Sequence, residues 1–283
     1  MREAGYARRK LAGQAFFAWT ALCALLACSI LFVILGYIAW QGAGALDLSF
    51  LTRLPKPVGE KGGGIANAIA GSAKVVGLAA LLGLPLGTAG GLFLGEYPRS
   101  RLSFWVRYAA DAINGIPSII IGLIVYTLLV LPMKSFSALA GSAALAVIMT
   151  PIVLRNTEEF IRLVPDSLRE AGLALGIPRW KVTLFIVLPA ASKGILTGCL
   201  LAVSRAAGET APLLFTAFGN RYWDNGWLHP IATLPMAVYT YALSPYEDWH
   251  RQAWAAALIL ILFVLALNGA SRLWLRPSEG AGT

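Results

Sequence analysis

The stretch "VPDSLREAGLALGIPRWKVTLFIVLP" (residues 164–189) is a charged segment between two long apolar runs, 137–160 and 190–218. Of the 283 residues in the chain, 58% are hydrophobic and only 13% are charged. In soluble domains about 25% of residues are charged. Runs of about 20 apolar residues match the ~30 Å hydrocarbon core of a bilayer. The composition therefore predicts an integral membrane protein, with residues 164–189 in a loop outside the bilayer.

Two signals in this loop predict where a short helix begins and ends. Ser167 and Glu170 have the S-x-x-E spacing of a capping box, so the helix is expected to begin near Leu168. Gly176 suits the left-handed position that follows many helices, and Pro178 cannot continue the same helix. A second helical segment is expected to lead from Pro178 into the next apolar run.

The short helix has one face of small apolar residues. Leu168, Ala171, Gly172 and Leu175 follow the i, i+3, i+4, i+7 pattern of a helix face. Such a face fits a groove on another protein, but an amphipathic helix can also rest on the lipid surface. The periodicity alone does not separate these two interpretations.

The apolar runs predict an all-α, polytopic membrane protein with six transmembrane helices. Pro85 and Pro117 interrupt the second and third runs, which a membrane tolerates where neighbouring helices or a water-filled path satisfy the freed backbone groups. Most lysines and arginines lie before the first run, at 96–107 and between 155 and 193, and this excess marks the cytoplasmic side. The predicted spans are 15–40, 66–94, 104–131, 137–160, 190–218 and 253–275.

These spans predict the domain organisation. Residues 1–14 and 277–283 are expected to be cytoplasmic tails on either side of a transmembrane domain at 15–276. The loop at 220–252 is expected outside the cell, and its many aromatic residues suit either an interfacial belt or a docking surface. Both termini are therefore expected in the cytoplasm.

A cation and a carboxylate lie inside the fifth apolar run, in "SRAAGETAPLLF" (204–215). Arg205 lies eleven residues after Gly194, about 16 Å along a helix, which predicts a position near the bilayer midplane. An unpaired arginine there costs at least about 2.5–3.5 kcal/mol. Glu209 is expected on the same helix face, so the pair either holds helices together or belongs to an anion route. A planar guanidinium binds oxyanions through paired hydrogen bonds, which favours the anion route.

The loop at 164–189 resembles the EAA loop of bacterial ABC importer permeases, E-A-A-x3-G-x9-I-x-L-P. Gly172 replaces the usual second alanine. In that family the loop forms a coupling helix that docks into a cytoplasmic ATPase subunit. The resemblance implies the type I ABC importer permease fold, with ATPase coupling by Glu170, Ala171, Gly172 and Gly176. The matching positions are Glu170, Ala171, Gly172, Gly176, Ile186, Leu188 and Pro189.

Three further stretches resemble phosphate-importer permeases of the PstA family: "NGIPSIIIGL" (114–123), "TPIVLRNTEE" (150–159) and "SRAAGETAPLLFTAFGN" (204–220). The resemblance implies a non-catalytic pore subunit of an ATP-driven inorganic phosphate importer in a bacterial inner membrane. It also implies a PstC-like second permease, a PstB-like ATPase dimer and a PstS-like phosphate-binding protein. No cofactor is expected on this chain, because ATP and Mg²⁺ would bind to the ATPase.

Five residues are predicted to line the substrate path. Arg205 is expected to hold phosphate transiently, and Glu209 to orient Arg205 and limit how tightly the anion binds. Arg155 is either a second step toward the cytoplasm or an anchor at the membrane surface. Asp111, close to Asn114, is expected to pair with a basic residue, either as part of a gate or as a buried structural pair.

Other functions fit the sequence less well. The net charge of +9 comes from basic residues scattered beside apolar runs, which does not resemble a nucleic-acid surface. Cys23, Cys28 and Cys199 lie inside apolar runs without the spacing of metal ligands. A permease for sulfate or molybdate remains an alternative. A self-contained secondary transporter is a weaker one, because the chain shows no clear inverted repeat.

Overall fold

A computed structural model describes residues 2–57, 60, 62–223 and 226–274. The described residues form helices joined by short connections, and one isolated bridge joins Phe218 to Ile231. This agrees with the all-α prediction. The predicted tail at 277–283 lies outside the described residues.

Eleven helices are present in these described parts of the chain. Two of them, α5 and α8, contain a π-helical turn, at Tyr126–Val130 and Thr183–Val187. The helices are α1 (Arg2–Ala43), α2 (Leu48–Thr52), α3 (Ala66–Glu96), α4 (Arg101–Gly115), α5 (Ser118–Met133), α6 (Ala138–Arg162), α7 (Asp166–Ala174), α8 (Arg179–Ala207), α9 (Ala211–Thr216), α10 (Leu234–Ala242) and α11 (Glu247–Trp274).

The six predicted spans are recognisable, but two differ in shape from the prediction. Five helices are long and apolar enough to cross a membrane, and the pair α4–α5, which is bent by 105°, meets the same criteria of length and composition when it is counted as one span. The fifth span is α8, which begins at Arg179 and ends at Ala207, so the predicted limits of 190–218 are wrong at both ends. Residues 2–14 continue α1 and are therefore helical.

Helix α6 is the centre of the fold. In its most apolar window 67% of the residues are buried, against 0–33% for the other long helices. Its first half packs with α3 and α9 around Val75, Met149 and Leu213. Its last turns pack with α8 around Ile161 and Ile195. Helices on several sides of α6 therefore depend on it for their positions.

A row of glycines on α3 allows that helix to lie directly against α6. A Cβ added at Gly87 would lie 2.7 Å from the Val153 Cβ and 2.8 Å from the Thr150 carbonyl oxygen. Cβ atoms at Gly91 and Gly95, the next two positions in the row, would clash with α6 in the same way. Small residues spaced four apart let helices approach closely in a membrane, where dispersion contacts replace the hydrophobic effect between helices. The α3–α6 pair is therefore tightly packed over several turns.

A second cluster joins the end of α3 that begins at Ala66 to α10 and α11. Ile65, Tyr241 and Ala255 belong to it and are buried. Helix α1 lies against α11, where Tyr37 packs edge-on to Trp254 with ring centroids 5.3 Å apart. Because α7 lies beside the other end of α3, at Glu96, this cluster and α7 are at opposite ends of the molecule.

We expect Gly91→Ala to destabilise the protein and Gly77→Ala to leave it as stable or slightly more stable. The methyl group at position 91 would overlap the Leu154 carbonyl and Thr157, and overpacking costs about 1–3 kcal/mol. At Gly77 no atom lies within 4 Å of the added Cβ, and alanine favours helix by up to about 1 kcal/mol. Thermal unfolding of the two purified variants in detergent tests this, and equal melting temperatures would contradict the packing argument.

Candidate substrate path and coupling helix

The third span breaks next to its proline. Helix α4 ends at Gly115, Ile116 is extended with φ −79° and ψ 131°, and α5 begins at Ser118. A proline disfavours the helical conformation of the residue before it, and here Pro117 follows Ile116. The span predicted at 104–131 is therefore divided into two helices at Pro117, which the sequence marks as an interruption, and the break leaves a space beside α6.

The fifth span ends close to the same space. Arg205 lies in the last turn of α8, and Gly208 follows as the C-terminal cap. Pro212 lacks the N–H that α8 would need in order to continue through this position. The chain instead starts the short helix α9 at Ala211, with Pro212 in its first turn. Glu209 therefore lies beyond the end of α8, and the predicted shared helix face for Arg205 and Glu209 is wrong.

Arg205, Glu209 and Asn114 line one cavity of about 270 Å³ between the two breaks. The side chain of Arg205 is 62% exposed, and that of Glu209 is 18% exposed. The Arg205 Nε lies 3.9 Å from the Glu209 Oε1, which is longer than a hydrogen bond. The guanidinium is therefore close enough to the carboxylate to be attracted by it, and its N–H groups remain able to bind another anion.

The cavity lies at the level of the middle of α6. Ile148 and Ile152 line it and flank Thr150, the central residue of this 25-residue helix. The contacts of Gly194 with Phe160 and of Gly198 with Asn156 show that α8 runs antiparallel to α6 in a register that agrees with this level. The end of α8 also favours a cation electrostatically, because its last carbonyls carry partial negative charge.

A charge network that the sequence reasoning missed surrounds Glu158 on α6. This carboxylate is only 2% exposed, and it contacts the side chains of Arg107 at 2.6 Å, Arg155 at 2.8 Å and Arg162 at 2.6 Å. Arg107 belongs to α4, so the network joins α4 to α6. The i, i+3 and i, i+4 spacing of Glu158 to its two α6 partners was visible in the sequence. The contact with Arg107 was not, because it depends on how α4 packs.

Arg155 connects this network to Asp111. Its Nε lies 3.0 Å from the Asp111 Oδ1, so the predicted pairing of Asp111 with a basic residue is present in the structure. Arg155 lies one helical turn after Ile152, and Asp111 one turn before Asn114, about 4.5 Å along each helix from the cavity lining. The Arg155–Asp111 pair therefore lies next to the cavity of Arg205, on the side of α7.

The four predicted coupling residues lie on or just after α7, away from the cavity. Helix α7 begins at Asp166 after Pro165, without a side-chain cap, so the predicted capping box of Ser167 and Glu170 is wrong. Gly176 has φ +76°, as the sequence predicts for the residue that ends this helix.

The predicted small apolar face of α7 divides between two environments. Gly172 is buried, and a Cβ there would lie 2.9 Å from the Ile186 Cδ1 and 3.0 Å from the Val182 Cγ2. Glu170 and Ala171 are exposed, and Leu175 is 79% exposed. Because glycine has no side chain, α7 approaches α8 closely at Gly172. Leu168 of the predicted face is exposed too, so the surface left for a partner includes Leu168, Glu170, Ala171 and Leu175.

In the described residues no group of three or more His, Cys, Asp or Glu side chains is placed to hold a metal ion. Cys23, Cys28 and Cys199 are free thiols. His250 binds the Ser244 carbonyl at 2.6 Å through its Nε2.

Residues 87–276 match the family model described as "Binding-protein-dependent transport system inner membrane component". The phosphate transport system permease protein PstA of Xylella fastidiosa is 46% identical over 96% of this chain and 95% of its own length. The chain belongs to the PstA family.

Other PstA proteins match over shorter stretches. The Yersinia pestis phosphate transport system permease protein PstA is 46% identical over 82% of this chain and 79% of its own. The probable phosphate transport system permease protein PstA of Methanocaldococcus jannaschii is 41% identical over 72% of this chain and 73% of its own length.

Solved structures support the fold. A chain of the MetNI methionine ABC transporter in inward-facing conformations has a TM-score of 0.62 at 18% identity, covering 75% of this chain and 96% of its own. A chain from the crystal structure of an amino acid ABC transporter with histidines has a TM-score of 0.57 at 18% identity. The match covers 75% of this chain and 92% of that one. The PstA-family chain therefore has the fold of type I ABC importer permeases, as predicted.

We expect Glu158→Gln to destabilise the protein and Glu159→Gln, on the neighbouring exposed residue, to have little effect. Glutamine keeps the shape of Glu158 but leaves three arginines without their shared negative charge. An unsatisfied buried group costs about 1–3 kcal/mol. The melting temperatures of the two purified variants measure this difference. An unchanged melting temperature for Glu158→Gln would mean that the network contributes nothing to folding.

Proposed function

We propose that this chain is the pore-forming permease subunit of an ATP-driven importer of inorganic phosphate. The observation that carries the proposal is Arg205, a cation in a cavity between two broken spans, level with the middle of α6. A cation at that depth is costly, and ionisable residues inside membrane proteins usually mark substrate or ion pathways. Relatives named as phosphate transport permeases over nearly the whole chain support phosphate as that anion.

Arg205 is proposed to bind phosphate and to release it again. A guanidinium offers two parallel N–H groups to a tetrahedral oxyanion. Glu209, 3.9 Å away, weakens the hold on a dianion through its own negative charge. A site on a transport route must be favourable enough to enter and weak enough to leave. Glu209 can also accept a hydrogen bond from the hydroxyl group of HPO₄²⁻, which SO₄²⁻ lacks, so it would contribute to discrimination.

Arg155 is proposed as the next step toward the cytoplasm. In this structure Arg155 forms an ion pair with Asp111. Both side chains are partly exposed, at 36% for Arg155 and 51% for Asp111. A phosphate that leaves Arg205 would displace Asp111 from Arg155. When the anion moves on, Asp111 would return, so the pair would act as a gate of exchangeable ion pairs. Asn114, between the two positions, would donate a hydrogen bond to the ion as it passes.

The remaining assignments are part of the same proposal. Both termini lie in the cytoplasm of a bacterial cell with an inner membrane, with residues 1–14 and 277–283 as tails of the permease domain 15–276. A PstC-like permease completes the pore, and a PstS-like protein delivers phosphate from outside. A PstB-like ATPase dimer binds ATP and Mg²⁺, while this chain binds no cofactor and catalyses no reaction. The exposed Glu170, Ala171 and Leu175 of α7 face that ATPase.

We expect Arg205→Gln to lower phosphate uptake by at least about tenfold, because hydrogen bonds to charged groups contribute about 1.5–3 kcal/mol. The complex should still assemble, since the Arg205 side chain is largely exposed in its cavity. Uptake of labelled phosphate into proteoliposomes measures this, with exposed Arg101→Gln as the charge-matched control. Normal uptake in Arg205→Gln would refute the proposed route. Equal competition by sulfate in the wild-type complex would refute phosphate as the specific substrate.

We expect Ala171→Trp to uncouple the ATPase. Residue 171 is exposed on α7, so a large side chain there would obstruct docking without disturbing the interior of this chain. Leu102→Trp, at an exposed position on α4, is the control. ATPase activity of the reconstituted complex in the presence of the binding protein is the measurement, and normal stimulation in Ala171→Trp would remove this face of α7 from the interface.

A further inference from the structure

Arg169, a residue of α7 that the sequence reasoning did not select, binds to three other parts of the chain. Its Nη1 donates to the Val164 carbonyl at 2.6 Å, and its Nη2 donates to the Ile161 carbonyl at 2.8 Å. Its Nε donates to the Glu96 carboxylate at 3.1 Å. The guanidinium is thus fixed by the end of α6, the connection after it and the end of α3.

These acceptors suit a cation that must stay in place. The Ile161 carbonyl is in the last turn of α6, where backbone oxygens lack i+4 helical partners and carry partial negative charge, and it also accepts from the Val164 N–H at 3.3 Å. The side chains of Arg169 and Glu96 are only 19% and 16% exposed, so solvent screens their attraction less than that of an ion pair on the surface. These three acceptors, together with the exposed Asp166 carboxylate of α7 itself at 3.2 Å from the Arg169 Nη1, hold the planar guanidinium more firmly than one acceptor would.

Glu96 extends the same contact to α8. Its Oε1 accepts from Arg169, and its Oε2 accepts from the Thr183 hydroxyl at 3.2 Å. Thr183 is the first residue of the π-helical turn in α8. Such turns often mark functional positions in helices. Arg169 and Glu96 therefore lie where α3, α6, α7 and α8 meet.

A second contact between α7 and the spans is of a different kind. Gly172 packs closely against the Val182 and Ile186 side chains of α8, and dispersion contacts of this kind do not fix a direction as a hydrogen bond does. Arg169 therefore supplies directional hydrogen bonds that join α7 to both α3 and α6. The spans that it reaches, α3 and α6, are joined along the glycine row and would move together.

We propose that Arg169 is the positioning residue that transmits movement of the coupling helix α7 to the α3–α6 pair, and that Glu96 is its receiving partner. This rests on the proposed function, in which the ATPase moves α7. Arg169 faces the interior of this chain, whereas Ala171 and Leu175 face outward. Replacing Arg169 should therefore leave the docked ATPase able to hydrolyse ATP while less of that movement reaches the transport path.

The test compares Arg169→Gln, Arg169→Lys, Glu96→Gln and the double variant Arg169→Gln/Glu96→Gln in the reconstituted complex, with exposed Arg101→Gln as control. We expect phosphate uptake per ATP hydrolysed to fall about 2- to 30-fold in Arg169→Gln, the range found for residues that couple distant sites. Arg169→Lys should fall between this variant and the wild type, because lysine keeps the charge without the three-way geometry. The double variant should be no worse than the more affected single variant.

Three results would overturn the inference. Uptake and hydrolysis that fall in equal proportion in Arg169→Gln would mean that Arg169 acts on docking or assembly. Uptake and hydrolysis that both stay at wild-type rates in Arg169→Gln would mean that Arg169 transmits nothing. Additive losses in the double variant would mean that Arg169 and Glu96 do not act together.

A second measurement does not depend on the transported ion. Spin labels are attached to Leu175→Cys on α7 and Tyr97→Cys at the end of α3, both exposed positions, in a background with Cys23, Cys28 and Cys199 replaced by alanine. Through the ATP cycle, we expect one narrow distance distribution in the Arg169 protein and a broader or shifted one in Arg169→Gln. Identical distributions would refute the inference. A wild-type complex that hydrolyses ATP but imports no phosphate would instead refute the proposed function.

Discussion

The close packing of α3 on α6 is the constraint on which the rest of the structure depends. Between apolar helices in a membrane there is little hydrophobic driving force, so their association depends on close dispersion contacts. Gly87, Gly91 and Gly95 supply those contacts because backbone and side-chain atoms of α6 occupy the space that their side chains would fill. With α3 fixed in this way, α6 is tightly packed over much of its length. It can then hold α4, α8 and α9 at fixed levels along its axis.

The two breaks in the spans lie beside this fixed helix, α6. A helix that ends inside a membrane protein leaves carbonyls and N–H groups without helical partners, which is tolerated where the backbone is buried in protein or lines a water-filled cavity. Here α4 ends at Gly115 and α8 ends at Ala207, beside the same stretch of α6. Each break alone would be a weakness in a span. Together they form a cavity with a cation at its wall.

The charges in the molecule are held in two different ways. Glu158 and Arg169 are largely buried, and each has several short hydrogen-bonded partners, as charged groups in such surroundings require. Arg205 is mostly exposed and has Glu209 at 3.9 Å. The first arrangement fixes helices relative to one another. The second leaves a cation able to exchange partners, which is what the proposed transport step needs.

The sequence by itself determined the class of the protein, because hydropathy and the EAA spacing are local properties of the chain. It also determined the presence of α7, the left-handed Gly176 and the small residues of α3. It predicted that Arg205, Glu209 and Asn114 belong to one path, and the structure brings these three residues to one cavity. Local patterns do not give distances between helices, so the sequence offered Arg155 and Asp111 as separate candidates and did not show that they form a pair.

What the tertiary structure decided concerns residues far apart in the chain. Only packing could show that Arg107 reaches Glu158, that Arg169 reaches Glu96, and that Gly172 faces inward against α8. Periodicity assigns a residue to a helix face but does not say what covers that face. The end of α8 was misjudged because an apolar run has the same composition whether its helix continues or breaks. A proline allows either outcome, and the neighbouring helices decide which one is stable.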